Sequence, residues 1–400
     1  MADPGIDRNE LAAWLRLDGT PGVGPVAARA LLAAFGLPQL VLAQDAATLA
    51  RHVPAAVAQA LLRPDALLEE RVERTWTWLS ADGGEDRHVL TLADPRYPRR
   101  LLEIPDPPSL LYIQGRVEAL ACDAIAVVGS RNPTPQGERN ACAFARDLAA
   151  SGWVVVSGLA LGIDAAAHRG ALEGAPAGQM ATVAVVGTGL DRVYPRQNHA
   201  LAHDIAGRGA LVSELALGTP PLAHNFPRRN RLIAGLTRGT LVVEAALRSG
   251  SLITARAAAE QGREVFAIPG SIHAPQSRGC HRLIRDGARL VESVQDIADE
   301  LGPAGPRPAA VDGAAAAWRT GGPSEAPARV TTDAASVPVL QHAGPDPVLK
   351  ALGHDPLHFD ELLARTGLEA AALQVRLLDL ELQGDVARLS GGLFQRLFRG

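Results

Sequence analysis

The sequence predicts a doubly wound α/β protein on a mainly parallel sheet, with a small helical domain before it and a winged-helix-like domain after it. Three observations carry this expectation. Between about residues 120 and 300, short β-rich runs alternate with helical stretches. Several runs are continuously apolar, as parallel strands buried on both faces are. Glycines and small hydroxyl residues follow most of the runs, where strand passes to helix.

Residues 1–85 read as a helical domain, with apolar positions at three- and four-residue spacing in Leu11, Trp14 and Leu15, then Leu31, Leu32 and Phe35. The Gly22-Val-Gly24 turn within it superficially matches a dinucleotide-binding fingerprint. That fingerprint needs a strand before it, and the stretch from Leu11 to Leu17 is helix-like. The turn is read instead as helix-hairpin-helix-like, its amides either holding a DNA phosphate or simply joining two packed helices. The core, 86–301, contains strand runs at 124–128, 153–157, 181–186, 210–213, 240–243, 264–268 and 288–291. Residues 302–346 are rich in Pro, Gly and Ala and read as a flexible linker. Residues 347–400 resume helical spacing and end in a hairpin turning at Gly391-Gly392, a small winged helix. Its candidate recognition helix sets Glu369, Asp379 and Glu381 against Arg376. Such a helix suits a protein contact or a structural role better than a DNA groove.

Four hundred residues with 47% hydrophobic content fit two or three globular domains. No window approaches the roughly 18 apolar residues of a membrane span, and the N-terminus lacks a signal-peptide pattern. Cys122, Cys142 and Cys280 are scattered, so neither a disulfide framework nor a zinc ribbon is expected, and a reducing cytoplasm is. Among 39 basic residues Lys350 is the one lysine, which excludes a Walker A loop and a Schiff-base lysine in the core. Net charge is −4, so a local arginine cluster does not reflect a basic protein.

Ligands of an open parallel sheet bind beyond the carboxyl ends of its strands. The loops at that edge carry Gly129-Ser130-Arg131, Ser157-Gly158 through Asp164, Gly187 through Tyr194-Pro195, Ser213-Glu214 and Ser249-Gly250-Ser251. The segment from Asn225 to Arg238 adds Phe226, Arg228, Arg229, Asn230 and Arg231 with no acidic residue. Guanidinium groups grip phosphate bidentately and a neighbouring ring offers a stacking surface, so a phosphate-bearing polymer is the expected ligand.

Blander roles are open to the same residues. Arg228, Arg229 and Arg231 could pair with Glu214 and Glu244, Phe226 could be a core ring, and Arg131 could cap a helix. Ser157, Asp164 and His168 could compose a hydrolase triad, but no Gly-x-Ser-x-Gly elbow is present, and Asp164 and His168 are expected to shape their loop. His199 and His203 have metal-compatible spacing without a third ligand, so no metal is expected. Glu244 is expected to hold loops or pair an arginine.

Several motifs together resemble the DprA/Smf DNA-processing family. They are Leu159-x-x-Gly-Ile-Asp-x-x-x-His168, Phe226-Pro-Arg-Arg-Asn-Arg-Leu-Ile-Ala-Gly235, Val243-Glu-Ala-x-x-x-Ser-Gly-Ser-Leu-Ile-Thr254 and Gly262-Arg-Glu-Val-Phe-Ala-Ile-Pro-Gly270. Tyr97-Pro98 and Ile104-x-Asp-Pro-Pro-Ser-Leu-Leu-Tyr112 fit as well, and the match runs from about 90 to 300 in order. The resemblance implies a Rossmann-like core that dimerises, binds single-stranded DNA and helps load RecA during natural transformation, without enzymatic activity or cofactor. It implies DNA contacts at Arg131, Phe226, Arg228, Asn230 and Arg231, with Ser249, Gly250 and Ser251 as a phosphate-facing turn. Gly129, Ser130, Ser157 and Gly158 join them as loop positions at the same edge. Some relatives carry a lysine shortly before the Phe-Pro, where this chain has Leu222-Ala223-His224, and Arg229 is the candidate substitute.

Two rivals are enzymes. A nucleoside monophosphate phosphoribohydrolase would use Glu244 and the turn from Ser249 to Ser251, but its Pro-Gly-Gly-x-Gly-Thr signature is missing. An NAD-linked oxidoreductase would use Gly187-Thr-Gly189, which lacks the third glycine.

Overall fold

The computed structural model describes residues 6–63, 65–81, 86–305, 346–352, 357–389 and 392–397. The chain divides into two compact units, Met1–Pro308 and Ala309–Gly400. Most of the expected linker, and Gly391 of the expected C-terminal turn, lie outside the described residues.

The first unit is built on nine strands: β1 (Arg87–Thr91), β2 (Leu110–Gly115), β3 (Ala124–Val128), β4 (Val154–Ser157), β5 (Thr182–Val185), β6 (Gly209–Ser213), β7 (Gly239–Val242), β8 (Glu264–Ala267) and β9 (Arg289–Leu290). Their order across the sheet is β1-β2-β6-β5-β4-β3-β7-β8-β9. From β6 to β9 every pairing is parallel, while β1 and β2 add an antiparallel edge. All seven anticipated runs are strands. The antiparallel pair was not anticipated: β1 opens on Arg87-His88 and has only Val89 and Leu90 as an apolar run.

The strand order fixes where a ligand can enter. From β3 the chain winds outward through β4, β5 and β6, then returns to the other side of β3 for β7, β8 and β9. The crevice between the loops after β3 and β7 is therefore the topological switch point, where helices on opposite faces part.

Before the sheet come α1 (Arg8–Gly19), α2 (Pro25–Phe35), α3 (Pro38–Leu42), α4 (Ala46–Leu49), α5 (Ala55–Leu62) and α6 (Leu68–Ser80). Asp7 starts α1 by accepting from the amides of Asn9 and Glu10, two of the donors a helix start leaves unpaired. Leu11, Trp14 and Leu15 of α1 and Val72 and Leu79 of α6 share one core with Val89, Leu110, Tyr112 and Leu211 of the sheet. The expected boundary near residue 85 is thus not a break in packing, because the apolar faces of α1 and α6 are covered by the sheet itself. Between and after the strands lie α7 (Arg99–Leu102), α8 (Pro135–Ala150), α9 (Ile163–Gly174), α10 (His199–Arg208), α11 (Asn225–Gly235), α12 (Ser251–Glu260), α13 (Arg278–Arg285) and α14 (Val294–Leu301).

A second core joins Ile125, Val127, Trp153, Leu241 and Phe266 to α8 and α9. Those two helices touch through small residues: a Cβ on Gly170 or Gly174 would come within 2.1 Å of the Cys142 or Arg146 carbonyl oxygen. Gly170→Ala is expected to cost about 1–3 kcal/mol by overpacking, read as a lower urea midpoint at unchanged slope.

The second unit contains α15 (Pro347–Leu352), β10 (Leu357–His358), α16 (Phe359–Thr366), α17 (Ala370–Gln383), β11 (Val386–Arg388) and β12 (Leu393–Arg396). Its sheet order is β10-β12-β11, with Leu362, Leu373, Leu377, Leu380 and Phe394 in the core. Arg376 of α17 pairs with Asp346 at 2.5 Å and faces Asp379 at 3.7 Å, so the basic charge of the candidate recognition helix is already met by carboxylates.

Candidate nucleic-acid interface

An open cleft of about 630 Å³ lies at the switch point. The β3 loop contributes Gly129 and Arg131, α11 contributes Phe226 and Asn230, and the start of α12 contributes Ser249, Gly250 and Ser251. Asp164 and Arg229 reach it from below, and Tyr194 from the loop after β5. Sheet topology thus brings together eight of the thirteen anticipated site residues, from three separate stretches of chain, in one concavity.

The β3 loop is held from the β7 side. The Ser130 amide donates to the Glu244 carbonyl at 2.7 Å, and the Ile163 amide donates to the Ser130 carbonyl at 3.1 Å. Glu244 accepts from the Thr134 amide at 2.9 Å and from its hydroxyl at 2.6 Å, while the same hydroxyl caps α8 by accepting from the Gly137 amide. Burial pushes the Glu244 carboxyl above its ordinary range, and the Thr134 bonds oppose that shift. Glu244 therefore acts as the loop brace expected of it. Gly129 serves close approach, since a Cβ there would lie 2.7 Å from Ile163 and 2.9 Å from the Glu244 carbonyl oxygen.

Arg131 is exposed, with its guanidinium carbon 5.4 Å from the Phe226 ring centre. Phe226 is half-buried and packs against the half-exposed Tyr194 ring, with centroids 5.8 Å apart and planes at 43°. Ser249 and Ser251 share a hydroxyl–hydroxyl bond of 2.7 Å at the start of α12. A helix N-terminus presents unpaired amides and a favourable dipole to an anion.

The arginine segment behaves differently from its linear appearance, because residues 225–235 form α11. Helical periodicity sends neighbouring side chains in different directions. Phe226, Asn230 and Ile233, spaced four and three apart, line the cleft. Arg231 instead turns to Glu214, a side chain only 6% exposed, and to Asp106 at 3.1 Å. Burial raises the Glu214 carboxyl and Arg231 opposes the shift. Arg231, expected as a DNA contact, is thus held in an ion pair and is not among the residues that line the cleft. Arg228 is exposed, with its charge within reach of Glu214 and Asp18.

Arg229 is 4% exposed, and its guanidinium donates to the carbonyls of Gly158, at 2.6 Å, and Val185. Burial lowers its pKa to about 10, with Asp164 opposing and Arg131 adding to the shift. Arg229, the candidate substitute for an upstream lysine, therefore lies at the floor of the cleft as a buried cation. Ser157 and Gly158, also expected as contacts, are not among the residues that line the cleft. The Ser157 hydroxyl is buried and donates to the Val127 carbonyl at 2.7 Å. Gly158 is gripped at both ends, its amide donating to Asp164 at 3.1 Å and its carbonyl accepting from Arg229.

Asp164 shapes the loop, as expected, whereas His168 is held in the core against β5. Asp164 also accepts from the Ala160 amide at 3.4 Å, and burial raises its pKa against the Coulomb pull of Arg229. In the same loop Leu159 has φ 58°, a strained position for a branched side chain, and Asn198 holds it by donating to its carbonyl at 2.9 Å. His168 Nδ1 lies 2.7 Å from the Thr182 hydroxyl, which itself donates to the Val155 carbonyl at 2.6 Å. Since the hydroxyl proton is used, Nδ1 carries the ring proton and donates.

Burial first, then the charges of Arg229 and Arg169, lowers the His168 pKa to about 3. The folded state resists protonation while the unfolded chain takes a proton near pH 6.5. This stabilising difference is complete above pH 6.5 and is lost as pH falls toward 3. From pH 7 to 5, the native chain should lose about 2 kcal/mol more stability than His168→Leu does. Equal losses in urea titrations would contradict this.

Tyr194 and Asn198 were not singled out from the sequence. Both follow β5, and only the return of that loop across Phe226 and Leu159 gives them their places. Among the described residues, no group of His, Cys, Asp and Glu forms a metal site, and no helix is long and apolar enough to cross a membrane.

Comparison with known proteins agrees with this architecture. A family model for DNA recombination-mediator protein A matches residues 88–302, and one for the DprA winged helix domain matches residues 323–392. The chain is 40% identical over 323 residues to Protein Smf of Escherichia coli, covering 80% of each chain. It is 34% identical over 420 residues to Protein Smf of Synechocystis, covering 97% of this chain and 99% of the relative. The X-ray structure of DNA processing protein A from Streptococcus pneumoniae matches with a TM-score of 0.62 at 36% identity, covering 74% of this chain and 98% of that one.

Proposed function

The chain belongs to the DprA/Smf family of DNA recombination mediators, and from that premise we propose that its switch-point cleft holds single-stranded DNA. The observation that carries this reading is the meeting of Arg131, the Phe226 and Tyr194 rings and the N-terminus of α12 in one concavity. Arginine and helix amides suit phosphates, rings suit unpaired bases, and a net charge of −4 confines binding to this face. The mediator role then consists of sheltering the strand and helping RecA load on it during DNA uptake, with no chemistry performed on the DNA. Glu244 and His168, the groups an enzyme would require, are engaged in loop and core hydrogen bonds, which favours binding over catalysis.

The chain is further proposed to act as a homodimer in the cytoplasm. At the β9 edge of the sheet, Leu247, Ile272 and Leu290 are exposed by 56%, 73% and 49%, beside Arg278, His281 and Arg285. An apolar sheet edge of this kind suits a two-fold contact with a second copy. Leu247 sits two residues before Ser249 of the cleft, so such a contact would set two clefts near each other and raise affinity through effective concentration.

The test is equilibrium binding to a labelled single-stranded oligonucleotide and to its duplex, from low to physiological salt. Salt-sensitive, single-strand-preferring binding is expected, weakened about tenfold or more by Arg131→Ala through loss of a charge-assisted contact. Binding indifferent to Arg131, or equal for the duplex, would overturn the reading. Free base released from a nucleoside monophosphate would instead favour the hydrolase.

A further inference from the structure

The surroundings of Phe226 show that it is not a free platform. Below it, a Cβ on Gly187 would come 3.0 Å from its ring. The Arg131 guanidinium lies 5.4 Å from its centre, and the Tyr194 ring packs at 5.8 Å. Three neighbours thus share the ring, which is half-buried at the cleft wall. Tyr194 is 47% exposed and is the one aromatic among the large apolar side chains that the described residues leave exposed. It lines the cleft with Ile253, itself 44% exposed.

Resting on the single-strand reading above, we propose that Tyr194 is the stacking platform for an unpaired base, and that Phe226 is a positioning residue holding Tyr194 and Arg131. Phe226 touches both, so a base on Tyr194 and a phosphate on Arg131 are met in fixed relation. Base stacking on an aromatic ring is tolerant of sequence because every base has a π face. In a duplex those faces are covered by neighbouring pairs. Tyr194 therefore supplies preference for single strands, while Arg131 supplies salt-dependent affinity for any phosphate chain.

The test compares Tyr194→Ala, Tyr194→Phe and Arg131→Ala on three probes: a single-stranded oligonucleotide, the same strand with abasic sites, and the duplex. Tyr194→Ala should weaken single-strand binding about 5- to 100-fold and leave the slope of log affinity against log salt unchanged. It should cause no loss on the abasic strand, and Tyr194→Phe should restore most of the loss, since stacking needs the ring and not the hydroxyl. Arg131→Ala should weaken all three probes and flatten the slope. If Tyr194→Ala weakens normal and abasic strands equally, or neither, while Arg131→Ala still weakens both, the platform is wrong and the cleft reading stands. If neither variant changes single-strand binding, both fall.

Discussion

Arg229→Met is expected to lower the unfolding free energy by about 3–5 kcal/mol, the range for removing one partner of a buried charge pair. Arg229 is 4% exposed and Asp164 8%, and each acts on the other's charge with little water to screen it. Without Arg229, Asp164 stays buried with no cation, and the carbonyls of Gly158 and Val185 lose their donor. Much of the penalty belongs to the stranded carboxylate. Asp164→Asn should therefore cost less in the Arg229→Met background than in the native chain, giving a favourable coupling of about 1–3 kcal/mol in a double-mutant cycle. Additive losses in urea titration would show that the two groups do not act as a pair.

Arg231→Ala is expected to cost about 3 kcal/mol by the same physics, because it leaves Glu214, 6% exposed, without its partner. Glu214→Gln in the same chain should recover part of that loss. The consequence for binding is specific. Where Arg231→Ala weakens DNA binding, it does so by loosening α11, so the salt dependence of the remaining binding stays native. Arg131→Ala, by contrast, should reduce the salt slope by roughly 0.7, the contribution of one phosphate on a single strand. Equal changes in slope for both variants would return Arg231 to the interface.

The sheet was legible because its strands are short apolar runs such as Ala124–Val128, and the alternation with helices fixes parallel pairing. The cleft was legible because ligand position follows from strand ends and topology, which placed Gly129, Arg131, Ser249, Gly250 and Ser251 without any coordinates. The arrangement of the arginine segment was not legible, because proximity along the chain is not proximity in space. Once Asn225–Gly235 is a helix, Phe226 and Asn230 face the cleft, Arg231 turns to Glu214, and Arg229 is buried. The segment's lack of acidic residues concealed partners far away in sequence, at Asp106, Asp164 and Glu214. Tyr194 was hidden for the same reason, since its importance comes from a ring supplied by another element.

Hydrogen exchange with and without a saturating single-stranded oligonucleotide tests most directly whether the switch-point cleft holds DNA. Amides of the Gly129-Ser130-Arg131 loop, of the Tyr194 loop and of Ser249 through Thr254 should exchange more slowly in the complex, and Arg131→Ala should reduce that protection when both proteins are compared at the same subsaturating concentration. Protection confined to α17 and its hairpin, or to the Gly22-Val-Gly24 turn, with the cleft loops unchanged, would contradict it.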